Sequence, residues 1–198
     1  MKNRKEGKIK ISNILLLVLI IVAIGLIVVI GIKYNERNKN EENLVEVISY
    51  VNDNIQEDTQ TEIPYIQYEG YQVIGIVEIP KINIEYPILI ESTKDALEKS
   101  IARFGNGKVN EVGNLCLAGH NYINGTMFGK IDKLENGDEI SILDLHGNKV
   151  IYTVFDKYVT DPNDNKVTES INNQSKEVTL ITCINGNKDR LIMKAKEK

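Results

Sequence analysis

Ile14 to Ile32 is a run of 19 residues made only of Leu, Ile, Val, Ala and Gly, with no charge anywhere in it. As a helix it would span about 28 Å at ~1.5 Å per residue, close to the hydrocarbon thickness of a bilayer. Such a stretch cannot lie on a water-facing surface, so it divides the chain before any other element is considered. The h-region of a cleaved signal is usually shorter, and the residues after Ile32 (Lys33, Tyr34, Asn35, Glu36, Arg37) contain no small-residue cleavage pattern. The run therefore reads as an uncleaved membrane anchor, a transmembrane helix over residues 11–32.

Charge orients it. Lys2, Arg4, Lys5, Lys8 and Lys10 precede the run against a single Glu6, so the leading tail (1–10) carries +4. The whole chain carries −4, which leaves −8 for everything after the anchor. Basic flanks stay on the cytoplasmic side, so the expected topology is single-pass in the cell membrane, N-terminus inside and the large C-terminal part extracellular. The acidic exterior part has no basic stripe, which excludes nucleic acid as a partner.

Residues 33–62 are polar and rich in Asn and Glu. Leu44, Ile48, Val51 and Ile55 recur at intervals of four, three and four, the period of one helical stripe. The stripe could dock on the following domain; the favoured reading is a partly helical stalk, with a flexible joint at Gln56 to Glu62. From Tyr71 the texture is that of β-structure. Val73 to Ile79 forms a strand stopped by Pro80, and Pro87 argues for an edge or a bend in the next. Ser92-Thr93 opens a short helix through Ala96, Leu97 and Ile101. Leu115 to Ala118 is an apolar strand, and Met127 to Leu134 a short helix. Glu139 to Leu145 and Lys149 to Val159 form a hairpin about His146-Gly147-Asn148. The last hairpin is Glu177 to Cys183 with Arg190 to Lys196. Seven or eight short strands with few helices define an all-β domain over 63–198, a barrel or a sandwich.

Alternation places the chemistry. Leu191, Met193 and Ala195 share one face of the final strand, leaving Arg190 and Lys194 on the other. With Val178 and Leu180 inward, Thr179, Ile181 and Cys183 point outward, so Cys183 and Arg190 flank one turn on one face. A cation favours the thiolate, which is the nucleophile, and a guanidinium can donate two directed bonds to an oxyanion. The alternative is a solvated strand-end charge. Of the two histidines, His146 sits in a hairpin turn where exposed polar residues are ordinary. His120 closes the run Leu115-Cys116-Leu117-Ala118-Gly119 and is the candidate general acid/base. The two cysteines could in principle pair, but a domain of this size does not need the bridge.

Thr179-Leu180-Ile181-Thr182-Cys183 with Arg190, preceded by Leu117-Ala118-Gly119-His120-Asn121, resembles the sortases, membrane-anchored cysteine transpeptidases of Gram-positive bacteria. The resemblance extends from Gly75 to Ala195. It implies an eight-stranded β-barrel with short helices and a Cys-His-Arg site that cleaves a C-terminal LPxTG-like sorting motif between Thr and Gly. By matching position Cys183 would be the nucleophile that forms a thioester, His120 the general acid/base, and Arg190 the group that holds substrate or oxyanion. Expected partners are secreted surface proteins bearing the motif and a cell-wall precursor or pilin amine as acceptor. No cofactor is expected; calcium, used in part of the family, would need clustered acids, and Glu111 or Asp164 is only a nominal candidate. No second apolar span follows Arg190 and no Asp-Pro-aromatic lid segment precedes the barrel, and both count against the pilin-polymerising type. Asn124 to Gly129 is similar to the class that takes NPxTN-like substrates, whereas the compact Ile184-to-Asp189 turn is not, so the subclass stays open. The alternatives are a pilin-polymerising sortase and a tethered, non-enzymatic β-barrel binding module. A papain-like protease is disfavoured because its cysteine precedes its histidine.

Overall fold

The computed structural model describes residues 3–57, 65–171 and 174–198. Its first element is helix α1 (Asn3–Glu57). Within it Asn13–Asn35 is long and apolar enough to cross a membrane, and none of that span is buried against protein. The chain divides into two compact units, 1–43 and 44–198. In the second unit Leu44 and Val51 are buried, and Val47 and Ile48 pack beside them on the main core. The buried pair Leu44 and Val51 contributes on the order of 1.5–3 kcal/mol of burial per side chain. The side chain of Ile55, the joint from Asp58 onward, and the domain's first residues Ile63 and Pro64 lie outside the described residues.

Nine strands follow: β1 (Gln67–Tyr68), β2 (Tyr71–Ile79), β3 (Ile84–Leu89), β4 (Ile101–Phe104), β5 (Gly113–Ala118), β6 (Glu139–Asp144), β7 (Lys149–Thr160), β8 (Lys176–Ile184) and β9 (Asp189–Glu197), with helix α2 (Lys94–Lys99) between β3 and β4. Their order is β1-β2-β3-β4-β5-β8-β9-β7-β6, and β2 also pairs with β6. That last pairing (Gly75 with Asp144 through Glu78 with Ser141) closes β2 to β9 into an eight-stranded barrel and decides against a sandwich. β1 is a two-residue extension paired only to β2.

α2 begins where expected: Thr93 caps it, its hydroxyl accepting from the Ala96 N–H at 3.2 Å, with Asp95 in the first turn. It stops earlier than the apolar spacing suggests. Ser100 is extended, donates its N–H to Ala96 and its hydroxyl to Pro87 O at 2.6 Å, and releases Ile101 into β4. β4 pairs parallel with β3 and antiparallel with β5, so the barrel needs it. Pro87 fits inside β3 because β4 pairing begins only at Ile88, leaving Pro87 with β2 alone. The short helix expected over Met127 to Leu134 is reduced to a 3-10 turn, Ile131–Lys133. Met127 has φ 49° and bridges Asn121. Its N–H goes to Tyr86 Oη and that of Phe128 to His120 O, and the left-handed backbone at Met127 interrupts a helix before Ile131.

The main core fills the barrel, with Val178 and Leu180 of β8 and Leu191, Met193 and Ala195 of β9 inside it. A second, smaller cluster lies on the outer face: Cys116, Ile181 and Ile192, covered by Val167 and flanked by Tyr158. Val167 belongs to the 3-10 turn Asn165–Thr168 between β7 and β8. Side chains of the sheet hold that segment down. Asn114 Nδ2 donates to Val167 O and Glu169 O, Thr179 Oγ1 donates to Asn114 Oδ1, and Lys194 Nζ donates to Glu169 O. The buried Glu177 carboxylate accepts from Ser170 Oγ, Ile171 N–H and Ser175 Oγ. Asn114, Glu177 and Lys194, from three neighbouring strands, thus tie the β7–β8 segment to the outer face of the sheet.

Candidate active site

Register brings the site together. In the β8–β9 hairpin Cys183 stands directly opposite Arg190, and across β9 Arg190 stands opposite Thr160 of β7. Directly opposed residues share a face, with Cβ atoms about 4.5–5.5 Å apart. On the other side β5 runs parallel to β8, pairing Leu117 with Leu180 and Ala118 with Ile181. The register continues past the end of β5: Gly119 N–H donates to Ile181 O at 3.2 Å, and Thr182 Oγ1 donates to Gly119 O at 2.7 Å. His120 is thereby level with Cys183. The order along this outer row is His120, Cys183, Arg190, Thr160, with the thiol between imidazole and guanidinium. The row beneath is Ala118, Ile181, Ile192 and Tyr158, an apolar floor.

Cys183 and His120 are both half-buried, open to solvent on the outer side. The imidazole rests against the Tyr122 ring, centroids 5.1 Å apart. Arg190 Nη1 donates to Asn187 O and Asp189 O, both at 3.1 Å, which fixes the guanidinium on its own turn. Gly119 allows the close approach beneath His120: an added Cβ would lie 2.8 Å from the Phe128 ring. Asn121 Nδ2 donates to Cys183 O at 3.0 Å. In the sequence Asn121 is visible only as the last residue of the Leu117-to-Asn121 motif, because a bond to a main chain 62 residues away has no local signal.

His146 is exposed on the β6–β7 turn, its N–H held by Asp144 Oδ1. The length of β7, about 40 Å at ~3.3 Å per residue, separates that turn from Thr160 and the site. Cys116 and Cys183 are both free. Cys116 is level with Thr179, four residues from Cys183 along β8, about 13 Å and beyond the ~7 Å Cα limit of a disulfide. Glu111 pairs with Lys108 at 3.2 Å, and Asp164 accepts from Thr160 Oγ1 and the Lys166 N–H. Among the described residues no group of three or more His, Cys, Asp and Glu is placed to hold a metal.

The two thiols differ in chemistry. Burial pushes the Cys116 thiol up to about 11, only partly offset by a hydrogen bond with Thr179 and by Lys194. Below that pH it stays protonated, and it is 1% exposed, so it is inert toward alkylating agents. Native chain treated with iodoacetamide at pH 8 is expected to take up one equivalent, at Cys183, and two after denaturation. Mass mapping that finds Cys116 modified in the native chain would contradict this assignment.

A closed barrel that presents a thiol between an imidazole and a guanidinium on its outer face defines a class of thiol-site β-barrels. Within it this chain belongs to the sortase family, whose sortase domain profile matches residues 77–198. Sortase A of Bacillus anthracis is 34% identical over 124 residues, 62% of this chain and 58% of that protein. Among solved structures, a sortase D transpeptidase of Clostridium perfringens is 36% identical with a TM-score of 0.63, covering 80% of this chain and 98% of the other. A sortase C of the same organism, solved with the C-terminal cell wall sorting motif, is 25% identical with a TM-score of 0.58, covering 84% and 96%. The chain thus spans less than two thirds of the length of its curated relative. These neighbours carry three different sortase letters.

Proposed function

We propose that this chain is a membrane-tethered cysteine transpeptidase that cleaves an LPxTG-like sorting motif and transfers the carried protein to a cell-wall amine. The observation that carries the reading is the pairing of Cys183 with Arg190, together with His120 two residues past the Ala118–Ile181 rung, which brings it toward Cys183. In the scheme the Cys183 thiol proton passes to His120 and the sulfur attacks the carbonyl carbon of the motif's Thr. The resulting oxyanion lies toward Arg190, whose planar fork can donate to it. As the Thr–Gly C–N bond breaks, His120 gives a proton to the departing amine, leaving a thioester on Cys183. The acceptor amine then loses a proton to His120 and attacks the thioester carbonyl. A new amide forms, the C–S bond breaks and the proton on His120 returns to the departing sulfur, restoring the thiol. The scheme assigns no step to a metal or cofactor.

The apolar span Asn13–Asn35 would act as the anchor, with the basic tail inside and the barrel outside. Both the secreted substrates and the lipid-linked acceptors of such a reaction pass the membrane surface, so tethering raises their effective concentration. The test is a panel of sorting peptides incubated with the full chain in detergent and candidate amines, analysed by mass. An amide product that requires the amine supports transfer. Acid product alone, whatever the amine, would mean hydrolysis, and no Cys183 adduct with a thiol-reactive peptide analogue would mean a binding module.

A further inference from the structure

The parallel ladder between β5 and β8 runs out at the catalytic row. Its last backbone bond is Gly119 N–H to Ile181 O, and the next rung of a parallel ladder would take a donor from residue 121 to Cys183 O. That rung is present, but a side chain makes it: Asn121 Nδ2 donates to Cys183 O at 3.0 Å. The main chain has meanwhile turned away, Asn121 bridging Met127 and His120 O accepting from the Phe128 N–H. We propose that Asn121 is a positioning residue that holds His120 level with Cys183 where the sheet itself no longer does, by replacing the missing rung with its amide.

His120 is held on both sides. On one, Thr182 Oγ1 fixes Gly119 O from within the barrel; on the other, Asn121 fixes the Cys183 main chain from without. Neither bond touches the imidazole, so each acts through the peptide planes that carry it. A short polar side chain is what the position requires. Leaving the ladder frees the chain to form the 121–127 hairpin, closed by Gly125 N–H to Tyr122 O and Thr126 N–H to Asn124 Oδ1, while the amide reaches back to hold the register. Asn121 is solvent-exposed, so its bond adds little to global stability, and this separates positioning from folding.

This inference rests on the transpeptidase reading for its kinetic arm and stands independently of it for its chemical arm. In the kinetic arm Asn121→Ala, and Asn121→Asp as an isosteric variant without the donor, are assayed as full chains with a sorting peptide and amine. A displacement of about 1 Å costs roughly a hundredfold in such systems, so kcat is expected to fall about 10- to 100-fold in both. KM should stay within about twofold, and the melting temperature within about 3 °C, as befits one exposed bond. In the chemical arm the iodoacetamide rate at Cys183 is measured in wild type, Asn121→Ala, His120→Ala and the double variant. If Asn121 acts through His120, Asn121→Ala slows alkylation in the wild-type background and has no further effect in the His120→Ala background. Independent, multiplying effects, or no effect of Asn121→Ala, would overturn the proposal; so would a kinetic loss confined to KM. A wild-type chain that turns over no sorting peptide while the alkylation cycle shows coupling would overturn the substrate reading and leave Asn121 in its role.

Discussion

Replacing Cys183 with alanine is expected to abolish cleavage and transfer, lowering kcat by at least about 10^4-fold, the scale seen when a covalent nucleophile is removed. The fold should hardly notice. Cys183 sits half-buried on the outer row, opposite Arg190 and outside both apolar clusters, so losing its sulfur opens no core cavity. Peptide affinity should be kept, since the substitution removes one sulfur atom and leaves Arg190 and the rest of the outer face in place. Cys116→Ala is the matched control. It removes a fully buried sulfur packed with Val167, Ile181 and Ile192, at a cost of about 1 kcal/mol in stability, yet it should keep turnover. Parallel assays of peptide turnover and thermal unfolding separate the two. A Cys183→Ala chain with more than about 1% of wild-type turnover would remove the thioester, because no other exposed thiol exists among the described residues.

The hairpin that bears Cys183 and Arg190 was legible because its information is local. The period-two geometry of a strand, anchored by Val178 and Leu180 and by Leu191, Met193 and Ala195, assigns faces without any tertiary knowledge, and a short turn fixes which residues oppose. The structure keeps that assignment residue for residue, pairing Cys183 with Arg190. His120 is a different case. Its place beside Cys183 depends on a parallel pairing between segments 63 residues apart, and a parallel register has no connecting turn to set it. Chain texture could make His120 a candidate, but only the Ala118–Ile181 rung puts it in the row.

What stayed illegible has the same origin. β4 is four residues long and begins one residue after a helix, so Ile101 fits the apolar spacing of α2 as well as it fits a strand. Only its neighbours β3 and β5 make it extended. Strand texture alone left barrel and sandwich open, and only the family resemblance pointed to the eight-stranded barrel, because the deciding contact, β2 with β6, joins segments more than sixty residues apart. The loop from Asn121 to Gly129 looked helical at its end because Met127, Phe128 and Ile131 are apolar at helical spacing. Their burial instead serves the barrel mouth, with Phe128 beneath Gly119 and the Met127 N–H on Tyr86. In each case a local pattern was overridden by a partner distant in sequence.

Arg190 is where sequence left an even choice between catalysis and an ordinary surface charge, and a lysine substitution resolves it. A strand-end cation in solvent needs only its charge, so Arg190→Lys would then lower kcat less than about threefold. The structure gives the guanidinium more than charge. It stands next to Cys183 in the row, on the side away from His120, and its Nη1 is spent on Asn187 O and Asp189 O. Those two carbonyls set the plane of the fork and hold it in place before substrate arrives, so the ordering entropy is met in advance. Lysine can place a charge there but has no plane to fix and no second directed donor for the oxyanion. Loss of one preorganised oxyanion donor typically costs about 10^2- to 10^3-fold in kcat. Both Arg190→Lys and Arg190→Ala are therefore expected to lose that much, Lys recovering less than about tenfold over Ala. Pre-steady-state acylation, read as the rate of thioester formation with a sorting peptide, is the step that should slow. If Lys acylates at the wild-type rate the guanidinium is a surface charge; if acylation is normal and only transfer is slow, Arg190 serves the acceptor rather than the oxyanion of the first step.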